Sequence, residues 1–346
     1  MDFVPGLELS RRFYTEAVRP VLDRHRPGLV YSAALLGPGS EVLGFDSARS
    51  ADHDWGPRLL LFPQEPEPEL DDLLARELPR EFLGYSTHFV DNEGDPTRRM
   101  APADGPLRHG VVVTELGGWL PGRLGFDPLR GITRADWLAT PTQALAEVTG
   151  GAVFHDGLAR LGPARRRLGW YPDDVWREVL SGQWRRIAQE EAFVGRCGEV
   201  GDELGSAVVA ARLVRDLMRL CLLMARRYPP YSKWLGSAFA RLPGASELTP
   251  VLTGALAART WPEREGFLVT AYETVAAQHN DLGLTEPLDP GVRGFHSRPF
   301  RVLDAGRFAD ALAPGSVGAV DQWVDSTDVL GRPELTRAVS AALARD

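Results

Sequence analysis

The chain has 346 residues, 44% hydrophobic and 25% charged, with a formal net charge of −8. That size and composition suit two compact globular units. The acidic balance argues against broad attraction to DNA or RNA, which relies on clustered positive charge. No stretch reaches the roughly 18 uninterrupted apolar residues of a membrane-spanning helix, and the first ten residues lack the basic start and apolar run of a secretory signal. Cys197 and Cys221 are the only cysteines, too few for a disulfide framework or a zinc site. A cytoplasmic protein is expected.

Residues 8–26 predict a first helix with an apolar stripe at Phe13, Ala17 and Leu22 and a kink point at Pro20. Residues 29–36 (LVYSAALL) read as a buried strand that ends in the turn Gly37-Pro38-Gly39-Ser40. An irregular arm, residues 41–51, leads to a second strand expected from Asp52 through Phe62, and residues 63–68 form a proline-rich loop. A short amphipathic helix over 70–78 and a β-branched third strand over 111–116 follow.

Beyond Asp136 the pattern turns helical, with helices over 173–194, 206–227 and 263–279. The segment 298–303 reads as extended, and residues 334–345 close the chain as a helix. The predicted fold class is α+β: a small mixed sheet over residues 1–135, then an all-α helical bundle over 136–293 closing a cleft. Residues 294–346 are expected to pack back on the first domain.

The order strand, Gly-Ser turn, Asp-x-Asp, strand has a chemical logic. Alternation along a strand sends Asp52 and Asp54 one way and His53 the other. Two adjacent carboxylates repel and call for a cation. Magnesium prefers oxygen ligands shared with substrate phosphates. Gly39 admits a phosphate close to the backbone, and Ser40 offers a hydroxyl and an N–H. Taken singly, an Asp-x-Asp pair or a Gly-Ser pair is as readily a solvated surface feature.

The segment GPGSEVLGFDSARSADHDWGPRLLLF, residues 37–62, resembles the signature of the DNA-polymerase-beta-like nucleotidyltransferase superfamily. Residues 52–58 (DHDWGPR), 228–236 (YPPYSKWLG) and 325–328 (DSTD) resemble the motifs of an uncharacterised bacterial family within it. The resemblance implies a nucleotidyltransferase domain in which Asp52 and Asp54 bind Mg2+ or Mn2+ and Gly39 and Ser40 hold a nucleoside triphosphate. It also implies a third carboxylate on a later strand, for which Glu115 is the candidate; an acid leaving a strand into the Gly117-Gly118 turn is the plain alternative.

The activity implied is transfer of a nucleotidyl group, AMP from ATP, to a hydroxyl of a small molecule. The alternatives are a catalytically inactive nucleotide-binding or regulatory module, protein AMPylation in a toxin–antitoxin-like system, or a metal-dependent hydrolase. Asp46 and Ser50, in the arm, read as solvated.

Lysine and arginine together number 39, yet Lys233 is the only lysine. An ammonium retained in so arginine-rich a chain marks a place where a planar guanidinium does not serve, or a chance survivor on the surface. Its neighbours Tyr228, Tyr231 and Trp234 favour the first, with Lys233 on a phosphate and Tyr231 beside the nucleotide. Arg212, Arg215 and Arg219 share one helix face, expected to be solvated or salt-bridged. Asp202 and Glu203 suit a helix N-terminus, and His88 and His109 read as structural. Asp321, Asp325 and Asp328 suit a cap or a turn as well as a cleft.

Overall fold

The computed structural model describes residues 3–94, 97–102 and 104–343. It is a mixed α/β structure with a small mixed sheet and many helices. The chain separates into two compact units, one of Met1–Ile132 with Ala144–Gly169, the other of Thr133–Gln143 with Trp170–Asp346.

In the first unit the predicted opening helix is present as α1 (Gly6–Phe13), a π-type turn (Tyr14–Val18) and α2 (Arg19–His25) in direct succession. Pro20 has no N–H and its ring crowds the carbonyl one turn back, so the widened turn immediately before it absorbs the defect. The sheet contains β1 (Tyr31–Leu35), β2 (Arg58–Pro63), β3 (Gly110–Val113) and β4 (Ala152–Asp156), in the order β3-β2-β1-β4. β1 runs antiparallel to β2 and β4, and β2 runs parallel to β3.

Every residue of β1 is buried, Ser32 included, whose hydroxyl is paired with Asp156. Ala33, Leu59, Leu61 and Val111 face a core completed by Phe13, Val18 and Leu22 and by Leu70 and Leu74 of α3 (Leu70–Glu77). The helix α4 (Leu116–Leu124) contributes Trp119, which packs edge-on against Phe62.

β4 is the element that the sequence pattern misses, because helices alone were expected past Asp136. Its entry depends on Gly151, at φ +58. A Cβ there would stand 1.9 Å from the Leu35 carbonyl oxygen, so only glycine lets the chain turn so close to β1. At its far end Asp156 accepts hydrogen bonds from Ser32 Oγ and from the N–H groups of Arg160, Leu161 and Gly162, which start α7 (Leu161–Arg167).

The second unit is mainly helical. It begins with α5 (Arg134–Ala139), and its long members are α8 (Asp173–Glu190), α10 (Glu203–Met224) and α13 (Trp261–Asp281). Trp184 of α8 is fully buried, stacks on Phe308 at 4.7 Å and donates its indole N–H to His279. The helix predicted over 173–194 breaks after Glu190, and α9 (Phe193–Glu199) follows. Asp202 caps α10 through Gly205 N–H, the ordinary role of an acid in that place.

Arg301–Val302 pairs with Arg293–Gly294, so the predicted extended piece exists but is short. The closing segment packs through α14 (Gly306–Leu312) on α8 and through α16 (Pro333–Leu343) on α5, where Arg337 meets Asp136. The end of the predicted last helix, residues 344–345, lies outside the described residues.

Candidate functional site

In the antiparallel pair of β1 and β2, Ala34 lies opposite Leu60 and Tyr31 opposite Pro63. The Gly37–Ser40 turn leaves the end of β1, and the Asp52–Trp55 segment enters the start of β2. Turn and acids therefore flank the same end of the sheet. Two ties join them. Arg58, the first residue of β2, donates from Nε to Glu41 Oε1 at 2.7 Å and from Nη2 to the Pro38 carbonyl at 2.7 Å. Trp55, buried, donates its indole N–H to Asp46 at 3.0 Å, and Asp46 also accepts the Gly6 N–H. Asp46 is thus a structural tie of the arm, while Ser50 closes a local turn by accepting the Ser47 N–H.

Gly39 has φ +147, outside the comfortable range of other residues. A Cβ there would lie 2.3 Å from Arg58 Nη2 and 2.7 Å from Glu41 Oε2. The Ser40 carbonyl accepts the Phe45 N–H, whereas the N–H groups of Gly39 and Ser40 and the Ser40 hydroxyl make no hydrogen bond among the described residues. Glu41 is 1% exposed. Burial pushes its carboxyl up against the opposing pull of Arg58, and its Oε2 has no partner.

Asp52 and Asp54 do not lie on a strand, so alternation does not orient them. Asp52 ends a 3-10 turn (Ala48–Asp52), and β2 begins only at Arg58. Instead of pointing away, His53 places Nδ1 2.9 Å from Asp52 Oδ1. Asp54 adopts φ +44, a conformation that aspartate tolerates better than most residues. It is clamped to Arg98 in both directions: Asp54 N–H donates to the Arg98 carbonyl at 2.6 Å, and Arg98 N–H donates to Asp54 Oδ1 at 3.0 Å. Both aspartates are exposed. Among the described residues no group of three or more His, Cys, Asp or Glu is set to hold a metal ion.

Glu115 is not brought to Asp52 and Asp54. β3 ends at Val113, paired with Leu61, so Glu115 emerges at the opposite end of the sheet, about 20 Å away along β2. There it precedes α4 and lines a cleft of about 400 Å3 with Gln64 and Arg160.

In the second unit, Lys233 belongs to α11 (Ser232–Phe239) and is exposed, its Nζ 5.1 Å from the ring centre of its neighbour Trp234. Tyr231 is 41% exposed, and its N–H donates to Gln143. Tyr228 packs instead into an aromatic corner with Trp170 and Tyr171.

The arginine face of α10 is salt-bridged: Arg212 to Glu190, Arg215 to Asp216 and Arg219 to Asp321. Asp321 also accepts from the Thr142 N–H and hydroxyl. Asp325 lies 3.9 Å from Arg215, and Asp328 sits in the short α15 (Thr327–Leu330). His88 accepts the Arg108 N–H, and His109 meets the Asp71 carbonyl, both in structural roles.

A family model described as Domain of unknown function (DUF4037) matches residues 137–235, from α5 into α11. The match includes Tyr231 and Lys233 but stops short of the Gly-Ser turn and the Asp-x-Asp pair. No curated protein and no solved structure matches the chain.

Proposed function

We propose that the chain is a nucleotidyltransferase of the DNA-polymerase-beta-like kind, moving a nucleotidyl group, AMP from ATP, to a hydroxyl of a small molecule. The observation that carries this reading is the Gly39–Ser40 turn, whose backbone N–H groups lack internal acceptors, at the same sheet end as Asp52 and Asp54. Such amides favour phosphate oxygens. The acidic net charge favours a small acceptor over a polynucleotide.

A magnesium ion that keeps waters and shares the nucleotide's phosphates needs only one or two protein carboxylates, and Asp52 and Asp54 are the acids that would hold it. Asp54 Oδ1 is engaged by Arg98, which leaves Oδ2 as its donor. Bound there, Mg2+ or Mn2+ supplies neutralisation of charge on the α-phosphate and the leaving pyrophosphate. Gly39 and Ser40 hold the phosphates in line. The acceptor oxygen forms a bond to the α-phosphorus as the bond to pyrophosphate breaks, and its proton passes to a carboxylate or to water.

Labelled ATP, Mg2+ and a metabolite extract test the reading. Pyrophosphate release that falls at least a hundredfold in Asp54→Ala supports transfer. A second reading, a catalytically inactive nucleotide-binding module, is favoured by the placement of Glu115 at the other sheet end. It predicts ATP binding with no release of pyrophosphate. Release of inorganic phosphate without an acceptor would point to a hydrolase and overturn the transferase.

A further inference from the structure

We propose that Arg58, held in place by the buried carboxylate of Glu41, is the cation that grips a polyphosphate on the Gly39–Ser40 turn. The inference deepens the reading of the same site and rests on a phosphate occupying that turn, but not on metal binding or turnover.

A phosphate seated on two backbone N–H groups still carries uncompensated charge, and a guanidinium satisfies it with fixed, directional donors. Arg58 is the guanidinium at hand. Its Nη2 stands 2.7 Å from the Pro38 carbonyl, inside the turn itself, and 2.5 Å from Glu41 Oε1. Nε takes the same carboxylate oxygen at 2.7 Å. Two of the three guanidinium nitrogens are thus committed, and Nη1 has no partner among the described residues. The Arg58 side chain is 20% exposed while that of Glu41 is 1% exposed, so the acid forms the inner side of the pair.

Gly39 completes the arrangement. Without a Cβ, the turn rests directly on the ion pair, and any larger residue would displace Arg58 Nη2. A buried carboxylate is a poor device for stability alone, because its desolvation offsets much of the attraction. It is an effective device for fixing the angle of an arginine. Glu41 is therefore a positioning residue that acts through Arg58. Lys233, with Nζ beside the Trp234 ring, is not needed for this contact.

The test is calorimetric titration of inorganic triphosphate, without metal, into the full chain. The wild type should bind. Arg58→Lys, which keeps the charge and loses the fork, should bind about tenfold more weakly, and Arg58→Met more weakly still. Glu41→Met should cost about tenfold alone and nothing further in the Arg58→Met background, since it acts through that side chain.

Arg58→Met alone leaves a buried carboxylate unpaired and risks unfolding. The Glu41→Met/Arg58→Met double variant removes both charges and should fold yet bind triphosphate no more tightly than Arg58→Met. Triphosphate binding unchanged in the folded double variant, or absent in the wild type, overturns the proposal. Failure of pyrophosphate release from ATP with this binding intact would overturn the transferase reading alone.

Discussion

Glu191 carries a carboxylate into the interior of the second unit, where it accepts the N–H groups of Leu303, Asp304 and Ala305. Those donors favour the charged form, but burial outweighs them and pushes the group from 4.5 up to about 7. A folded value above the unfolded one means that the folded state holds the proton more tightly. The resulting contribution is complete below pH 4.5 and lost as pH rises through about 7. A shift of this size corresponds to about 3 kcal/mol. The stability of the wild type relative to Glu191→Gln should therefore fall between about pH 5 and about pH 8 in denaturant unfolding. A rise over that window would contradict the assignment. His279 works in the opposite sense: burial lowers it to about 4, so its contribution is present above 6.5 and lost on acidification.

The same scale explains what the sequence hid. Asp52 and Asp54 are recognisable from the Asp-x-Asp spacing, but their orientation is not, because alternation holds only on a strand. The positive φ of Asp54 and its clamp to Arg98 arise from a pairing 44 residues apart. Nothing local in the sequence marks Glu41, beside Ser40, as a buried acid. Only the antiparallel pairing of β1 with β2 brings Arg58 over it and buries it.

At the scale of elements, periodicity locates the long helices to within a few residues, because each buries an apolar stripe. Short elements set by tertiary contact are less legible. β4 is a five-residue strand whose place is fixed by Gly151 passing the Leu35 carbonyl. β3 stops at Val113, and Glu115 turns into α4 where a longer strand was predicted.

The arginine face of α10 illustrates how helix spacing becomes packing. Arg219 and Asp321 have side chains 14% and 5% exposed, and Thr142 completes the aspartate's partners. Removing one member strands a buried charge. Asp321→Ala should cost about 3–5 kcal/mol in denaturant unfolding. Arg212→Ala, in a more exposed pair, should cost about 1 kcal/mol or less. Equal losses would show that Asp321 is not the anchor of the segment Val320–Gln322.

At the scale of the whole molecule, the described residues contain no helix long and apolar enough to cross a membrane. The family match of residues 137–235 takes in parts of both units, whereas the turn and acids proposed for phosphate and metal lie wholly in the first. The assignment of residues 144–169 to the first unit depends on β4, which helical periodicity does not reveal. The most direct test of the central claim is a crystal structure of the chain with a non-hydrolysable ATP analogue and Mn2+. The prediction is phosphate density on the Gly39 and Ser40 N–H groups and an anomalous manganese peak shared by Asp52, Asp54 and the phosphates. Nucleotide bound away from that turn, with no metal at either aspartate, would contradict it.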